Sequence, residues 1–181
     1  MSGLKHLLRR IFPKVDLNDL TKKVDDLKLG LLNSQLEQRI LFGQYQSGLT
    51  PSGKAFRFED SGFSVFSQND EDGKLLYIYS LIGFTNKKCV DMAFAYPYGS
   101  NVTNLLCNWG FTGLLVEGGD MKKSIEFFNS NQNTNIFPPT LLEEWISAEN
   151  INDLCTANSF VGEIDLFSLD VDGVDYWLWK S

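Results

Sequence analysis

Four carboxylates stand where an apolar run gives way to a loop: Asp91 near the end of KCVDM, Glu117 closing TGLLVE, and Asp170 and Asp172 following EIDLFSL. An acidic residue at the end of the second strand of a βαβ unit is the usual partner for ribose hydroxyls; at the bland end of the range, Glu117 is a solvated carboxylate. Asp170 or Asp172 can act as a general base toward a hydroxyl, but an aspartate near its usual pKa of ~3.9 is a weak base unless desolvated. With Asp175 nearby, the Asp170-x-Asp172 pair can also offer hard oxygen ligands to a divalent cation. The DVDG run lacks the other positions of a calcium loop, so no dedicated metal site is expected.

These carboxylates must be positioned by strands running in one direction. Lys88 to Gly119 reads as strand, turn, helix, strand. Cys89, Val90 and Met92 form the first apolar run. Val102, Leu105, Leu106 and Trp109 fall on one helical face, and Gly110 stands where a left-handed C-cap is favoured. Leu114, Leu115 and Val116 are continuous, as a strand buried on both faces requires. A parallel βαβ crossover is predicted, with ligands outside the carboxyl ends of its strands.

Totals remove many alternatives. The chain has 181 residues, 43% of them hydrophobic, enough for one α/β domain with an extension. A net charge of -7 argues against nucleic-acid binding, because phosphates are held mainly by Lys and Arg. His6 is the only histidine, which removes Ser-His-Asp, Cys-His and HExxH chemistry. Cys89, Cys107 and Cys155 lie far apart with no CxxC pair, favouring neither disulfides nor zinc and pointing to a reducing cytoplasm. No apolar run approaches the ~20 residues that span a bilayer.

Along the chain, residues 1–48 form an N-terminal helical extension. Its basic lead, with Leu4, Leu7, Leu8, Ile11 and Phe12 on a stripe, suits an ordinary terminal helix or contact with an anionic membrane surface. Leu17, Leu20, Val24, Leu27 and Leu31 then make a short heptad seam, which suits either a homodimer or packing on the same chain. Residues 49–62 read as a linker and 63–181 as the main domain. Extended structure is predicted from Ala55 to Phe66, and a helix from Lys74 to Ile82. Asp120 should cap a helix to Ser130 with Ile125 and Phe128 inward; Leu141, Leu142, Trp145 and Ile146 should form a third strand. Ser147 should cap a helix through about Asn158. The run from Glu163 to Gly173 reads as a fourth, central strand, followed by a helix from Val174.

Several separated motifs occur in a familiar order: VFSQNDEDG (Val65–Gly73), IGFTNKKCVD (Ile82–Asp91), SNVTNLL (Ser100–Leu106), GFTGLLVEG (Gly110–Gly118) and GEIDLFSLDVDGVDYWLWKS (Gly162–Ser181). Over roughly residues 60–181 the chain resembles a branch of the FkbM-like class I methyltransferases. The resemblance implies a Rossmann-like α/β fold that uses S-adenosylmethionine to methylate an oxygen on a small molecule or sugar. It assigns Asp91, Gly99 and Glu117 to cofactor binding, and Asp170 and Asp172 to the acidic pair near adenine and substrate. Ala93, Phe94, Ala95, Tyr96, Pro97 and Tyr98 replace the family's glycine-rich turn, so Cβ atoms and tyrosine rings are expected where a ligand comes close. About four core strands are expected rather than seven, as in a truncated relative whose fourth strand would be an edge in the order 3-2-1-4. The competing expectation is a non-catalytic Rossmann-like module that assembles through its N-terminal helix or that edge.

Overall fold

The computed structural model describes residues 17–50 and 52–181. Two compact units divide the chain, residues 1–41 and 42–181. Helix α1 spans Leu17–Ser47, and on it Leu20, Val24 and Leu27 of the heptad seam are exposed. The basic stripe, which suits an ordinary terminal helix or a membrane-surface contact, lies outside the described residues. No helix among the described residues is long and apolar enough to cross a membrane.

The larger unit is an α/β sandwich built on four parallel strands in the order β3-β2-β1-β4. The strands are β1 (Lys88–Met92), β2 (Thr112–Glu117), β3 (Thr140–Glu143) and β4 (Leu166–Leu169), and the flanking helices are α2 (Glu71–Ile82), α3 (Thr103–Trp109), α4 (Lys122–Ser130), α5 (Ile151–Ala157) and α6 (Asp175–Lys180). This is the predicted Rossmann-like α/β class with its helical extension. The register pairs Asp91 with Leu115 on one side and with Ser168 on the other. All four strands therefore deliver their carboxyl ends to the same rim.

Alternation along the strands separates two faces. Val90, Met92, Leu114 and Val116 bury one face against Ile151, Phe160 and Leu178. Cys89, Asp91 and Leu115 point to the other, where Leu105 and Leu106 of α3 are also buried. Gly113 permits this approach: a Cβ there would lie 2.8 Å from Leu106 Cδ2. Gly110 takes the left-handed cap position at φ 69° and ends α3 as its sequence predicts.

Several expectations need correction. Ala55–Phe66 adds no strand to the sheet: Ala55 makes an isolated antiparallel bridge to Leu49 and Arg57 is extended, but a 3-10 turn follows at Phe58–Asp60 with bends after it. Phe56 and Phe58 instead pack their rings on Tyr45 and Tyr77. Asp72 Oδ2 gathers the N–H groups of Val65, Phe66 and Ser67 at 2.7, 2.7 and 3.0 Å, taking donors that a strand ladder would use. The helix predicted from Lys74 starts earlier, at Glu71, because the acidic turn is its first turn.

Within α4, Ser124 and Phe128 are buried whereas Ile125 is 40% exposed, lying about 100° round the helix from Ser124. Asp120 does supply a helix-start acceptor, Oδ1 to Lys122 N–H at 2.9 Å, with Met121 as the cap residue. Ser147 opens a turn rather than a helix, and α5 begins at Ile151. Finally, β4 is not central: among the described strands it pairs with β1 alone. Its apolar sequence reflects partial cover, including the Phe167 ring against Trp179 at 5.7 Å.

Candidate functional site

The five residues singled out from the sequence, Asp91, Gly99, Glu117, Asp170 and Asp172, all line one cleft of about 830 Å3 at the carboxyl rim of the sheet. That is toward the upper end of the range of ~300–1,000 Å3 usual for small-molecule sites. Parallel pairing accounts for the convergence. Asp91 sits one residue before the end of β1, Glu117 ends β2, and Asp170 follows β4 with its N–H directed at Met92 O, 3.4 Å away.

Glu117 ties the rim together. Its Oε2 accepts the Ala95 N–H at 2.9 Å and its Oε1 accepts the Gly119 N–H at 3.0 Å. One carboxylate thus fixes both the loop after β1 and the turn after β2. Each oxygen spends one lone pair on backbone and keeps another for a ligand hydroxyl.

The loop between β1 and α3 adopts a glycine-like backbone without the glycines. Ala93 and Ala95 lie at φ 64° and 55°, in the left-handed region, and Gly99 at φ 116°. Left-handed conformations cost a non-glycine residue ~1–2 kcal/mol. The conformation is held by Phe94 N–H to Val116 O at 3.1 Å, by Glu117, and by Gly99 N–H to Phe66 O at 2.6 Å. Tyr96 and Tyr98 do not fill the cleft. They line it, 39% and 61% exposed. Tyr98 rests on Phe66 and Phe127 at centroid distances of 5.6 and 5.7 Å.

Asp91 is the buried acid of the site, only 4% exposed. Burial pushes its carboxyl up to about 7, and hydrogen bonds from Ser100 and Ser168 pull against that shift, while the negative charge of Asp170 adds to it. Ser100 Oγ donates to Asp91 Oδ2 at 2.8 Å and accepts Val102 N–H at 3.1 Å, coupling the acid to the start of α3. Asn101 Nδ2 reaches Ser168 Oγ at 3.4 Å.

Asp170 and Asp172 are exposed on the opposite wall, and their carboxylates have no hydrogen-bond or ion-pair partner among the described residues. Asp172 is held at φ 55°, a conformation that Asp tolerates better than most residues. Asp175 turns away from them. Its Oδ1 accepts Val171 N–H at 2.8 Å and its Oδ2 accepts Gly173 N–H at 3.2 Å, bonds that lower its pKa. The three aspartates therefore do not converge, and no group of three potential ligands gathers among the described residues.

Several lining residues escaped the sequence reading. Ser168 carried a signal, because a serine inside a buried apolar run must find a polar partner. Trp145, expected in β3, lies beyond it: the pairing ends with Glu144 N–H to Glu117 O at 2.9 Å. Its indole then covers Gly118, where a Cβ would come within 2.7 Å of the ring, and the side chain remains 81% exposed at the cleft.

Fold and site together define a Rossmann-like α/β protein with an acidic cleft at the carboxyl rim of its parallel sheet. No family model, curated protein or solved structure matches the chain.

Proposed function

We propose that the cleft binds S-adenosylmethionine and that the chain is a methyltransferase-like protein acting on an oxygen of a small molecule or sugar. The observation that carries this reading is Glu117 at the end of β2, its two oxygens each anchored by one backbone N–H and each retaining acceptor capacity. That geometry suits the two adjacent hydroxyls of a ribose. The resemblance of the separated motifs to the FkbM-like class supports the same cofactor. The residues fit the group: the left-handed loop backbone does what a glycine turn would do, and the tyrosines stand at the walls.

When bound, S-adenosylmethionine supplies an electrophilic methyl group. The chain's own part is to align the acceptor and hold its proton. Asp170 and Asp172 flank the open wall and can accept a hydrogen bond from an acceptor hydroxyl. Asp91 lines the same cleft, its carboxyl raised to about 7 by burial and held by the Ser100 hydroxyl. Calorimetric titration of the full chain with S-adenosylmethionine tests the reading: saturable heat is expected, and silence at millimolar ligand would remove it.

A second reading rests on a different observation. Leu20, Val24 and Leu27 are exposed along α1, and β4 presents an edge with no further strand among the described residues. A non-catalytic module that assembles through either surface would show a concentration-dependent mass in solution and no response to the cofactor.

A further inference from the structure

The chemistry of the cleft wall is one-sided. Asp91, Glu117, Asp170 and Asp172 all contribute to it, and none of its described lining residues is Lys, Arg or His. Tyr96, Tyr98 and Trp145 add exposed aromatic surface to the same lining. Carboxylates repel anions, and aromatic faces attract cations through their quadrupole. A phosphate-bearing ligand, such as a nucleotide sugar, would meet four acids and no compensating charge. The two acids of the β4 side are also the ones without a hydrogen-bond partner among the described residues, whereas Glu117 already accepts two backbone N–H groups and Asp91 a serine hydroxyl.

Resting on the methyl-transfer reading, we infer that the molecule presented for methylation carries an organic cation, a protonated amine or a quaternary ammonium group, held by Asp170 and Asp172 against the aromatic wall. The volume of about 830 Å3 leaves room for such a group beside a nucleoside. The unpaired carboxylates then have a function: they are solvated until a cation arrives, and they select it over a neutral molecule of the same shape. Asp175, bound to the Val171 and Gly173 amides, does not complete an inorganic metal shell, so the site favours a large, weakly hydrated cation over a compact divalent ion.

The probes are choline and its uncharged isostere 3,3-dimethylbutan-1-ol, titrated into the full chain at low salt, with and without saturating S-adenosylmethionine. Choline is expected to bind in both conditions, at least ~5-fold more tightly than the isostere, with the difference shrinking as salt rises. The double variant Asp170→Asn, Asp172→Asn should lose that preference while keeping its circular dichroism, since Asn accepts the left-handed backbone at position 172. Equal binding of the isostere, no choline binding, displacement of choline by S-adenosylmethionine, or preference for Mg2+ would each overturn the inference. Titration of S-adenosylmethionine alone separates the two proposals. Cofactor binding without choline binding removes only the cationic acceptor. Choline binding without cofactor binding keeps a cation site and removes methyl transfer.

Discussion

Glu117 reaches from the end of β2 to accept the Ala95 N–H at 2.9 Å, so the carboxylate best placed for a ligand also fixes the loop that walls it. Binding and local order are therefore coupled through one side chain. Glu117→Gln keeps the shape but replaces one accepting oxygen with an NH2 group, so one of the two backbone bonds must fail. A loss of ~1–2 kcal/mol in denaturant stability and a tenfold or greater weakening of S-adenosylmethionine binding are expected. Unchanged values for both would mean that Glu117 only faces solvent.

The left-handed alanines make an opposite prediction. Ala93→Gly relieves a conformation that costs ~1–2 kcal/mol, and this outweighs the greater freedom of glycine in the unfolded chain, ~0.5–1 kcal/mol. The variant should gain up to about 1.5 kcal/mol, read as a higher urea midpoint at unchanged slope. A lower midpoint would show that the methyl group contributes packing that outweighs the strain.

Asp91 predicts a pH dependence of known sign. Its folded-state pKa is raised by burial from the ordinary value to about 7, so the native state holds this proton more tightly than the unfolded chain. The contribution is fully present below about pH 4 and is lost as pH rises toward 7. Asp91→Asn cannot titrate. The stability of the variant relative to the parent should therefore climb by a few kcal/mol at most from pH 4 to pH 7 and then level off. A difference that stays flat over that window would place Asp91 in contact with water.

Asp72 separates an acceptor from its charge. Asp72 Oδ2 takes three backbone N–H groups, whereas Oδ1 is buried without a partner. Asp72→Ala strands those donors and should cost ~3 kcal/mol or more. Asp72→Asn retains one oxygen for the donors and should cost distinctly less. Because Phe66 O receives the Gly99 N–H, the alanine variant should also loosen the cleft loop, seen as faster amide exchange at Gly99.

Much of this arrangement was legible in the sequence because periodicity and turn chemistry are local. The βαβ unit could be read from Leu105, Trp109 and Gly110, and the convergence of Asp91, Glu117 and Asp170 followed from parallel strands. What escaped was set by distant partners. Nothing local to Ala93 and Ala95 reveals that Val116 O and Glu117 hold them left-handed. The aromatic run from Phe56 to Phe66 suited strands as well as turns until Asp72 claimed its donors. Trp145 looked like a strand residue, and only the missing Cβ of Gly118 explains where it rests.

Amide hydrogen exchange, with and without S-adenosylmethionine, reports most directly on whether the cleft holds a nucleoside cofactor. Protection is expected to concentrate at the loop from Ala93 to Gly99 and at Glu117 to Gly119, leaving the surface of α1 unchanged. Protection confined to other elements, or none at saturating ligand, would contradict a cofactor site at this rim.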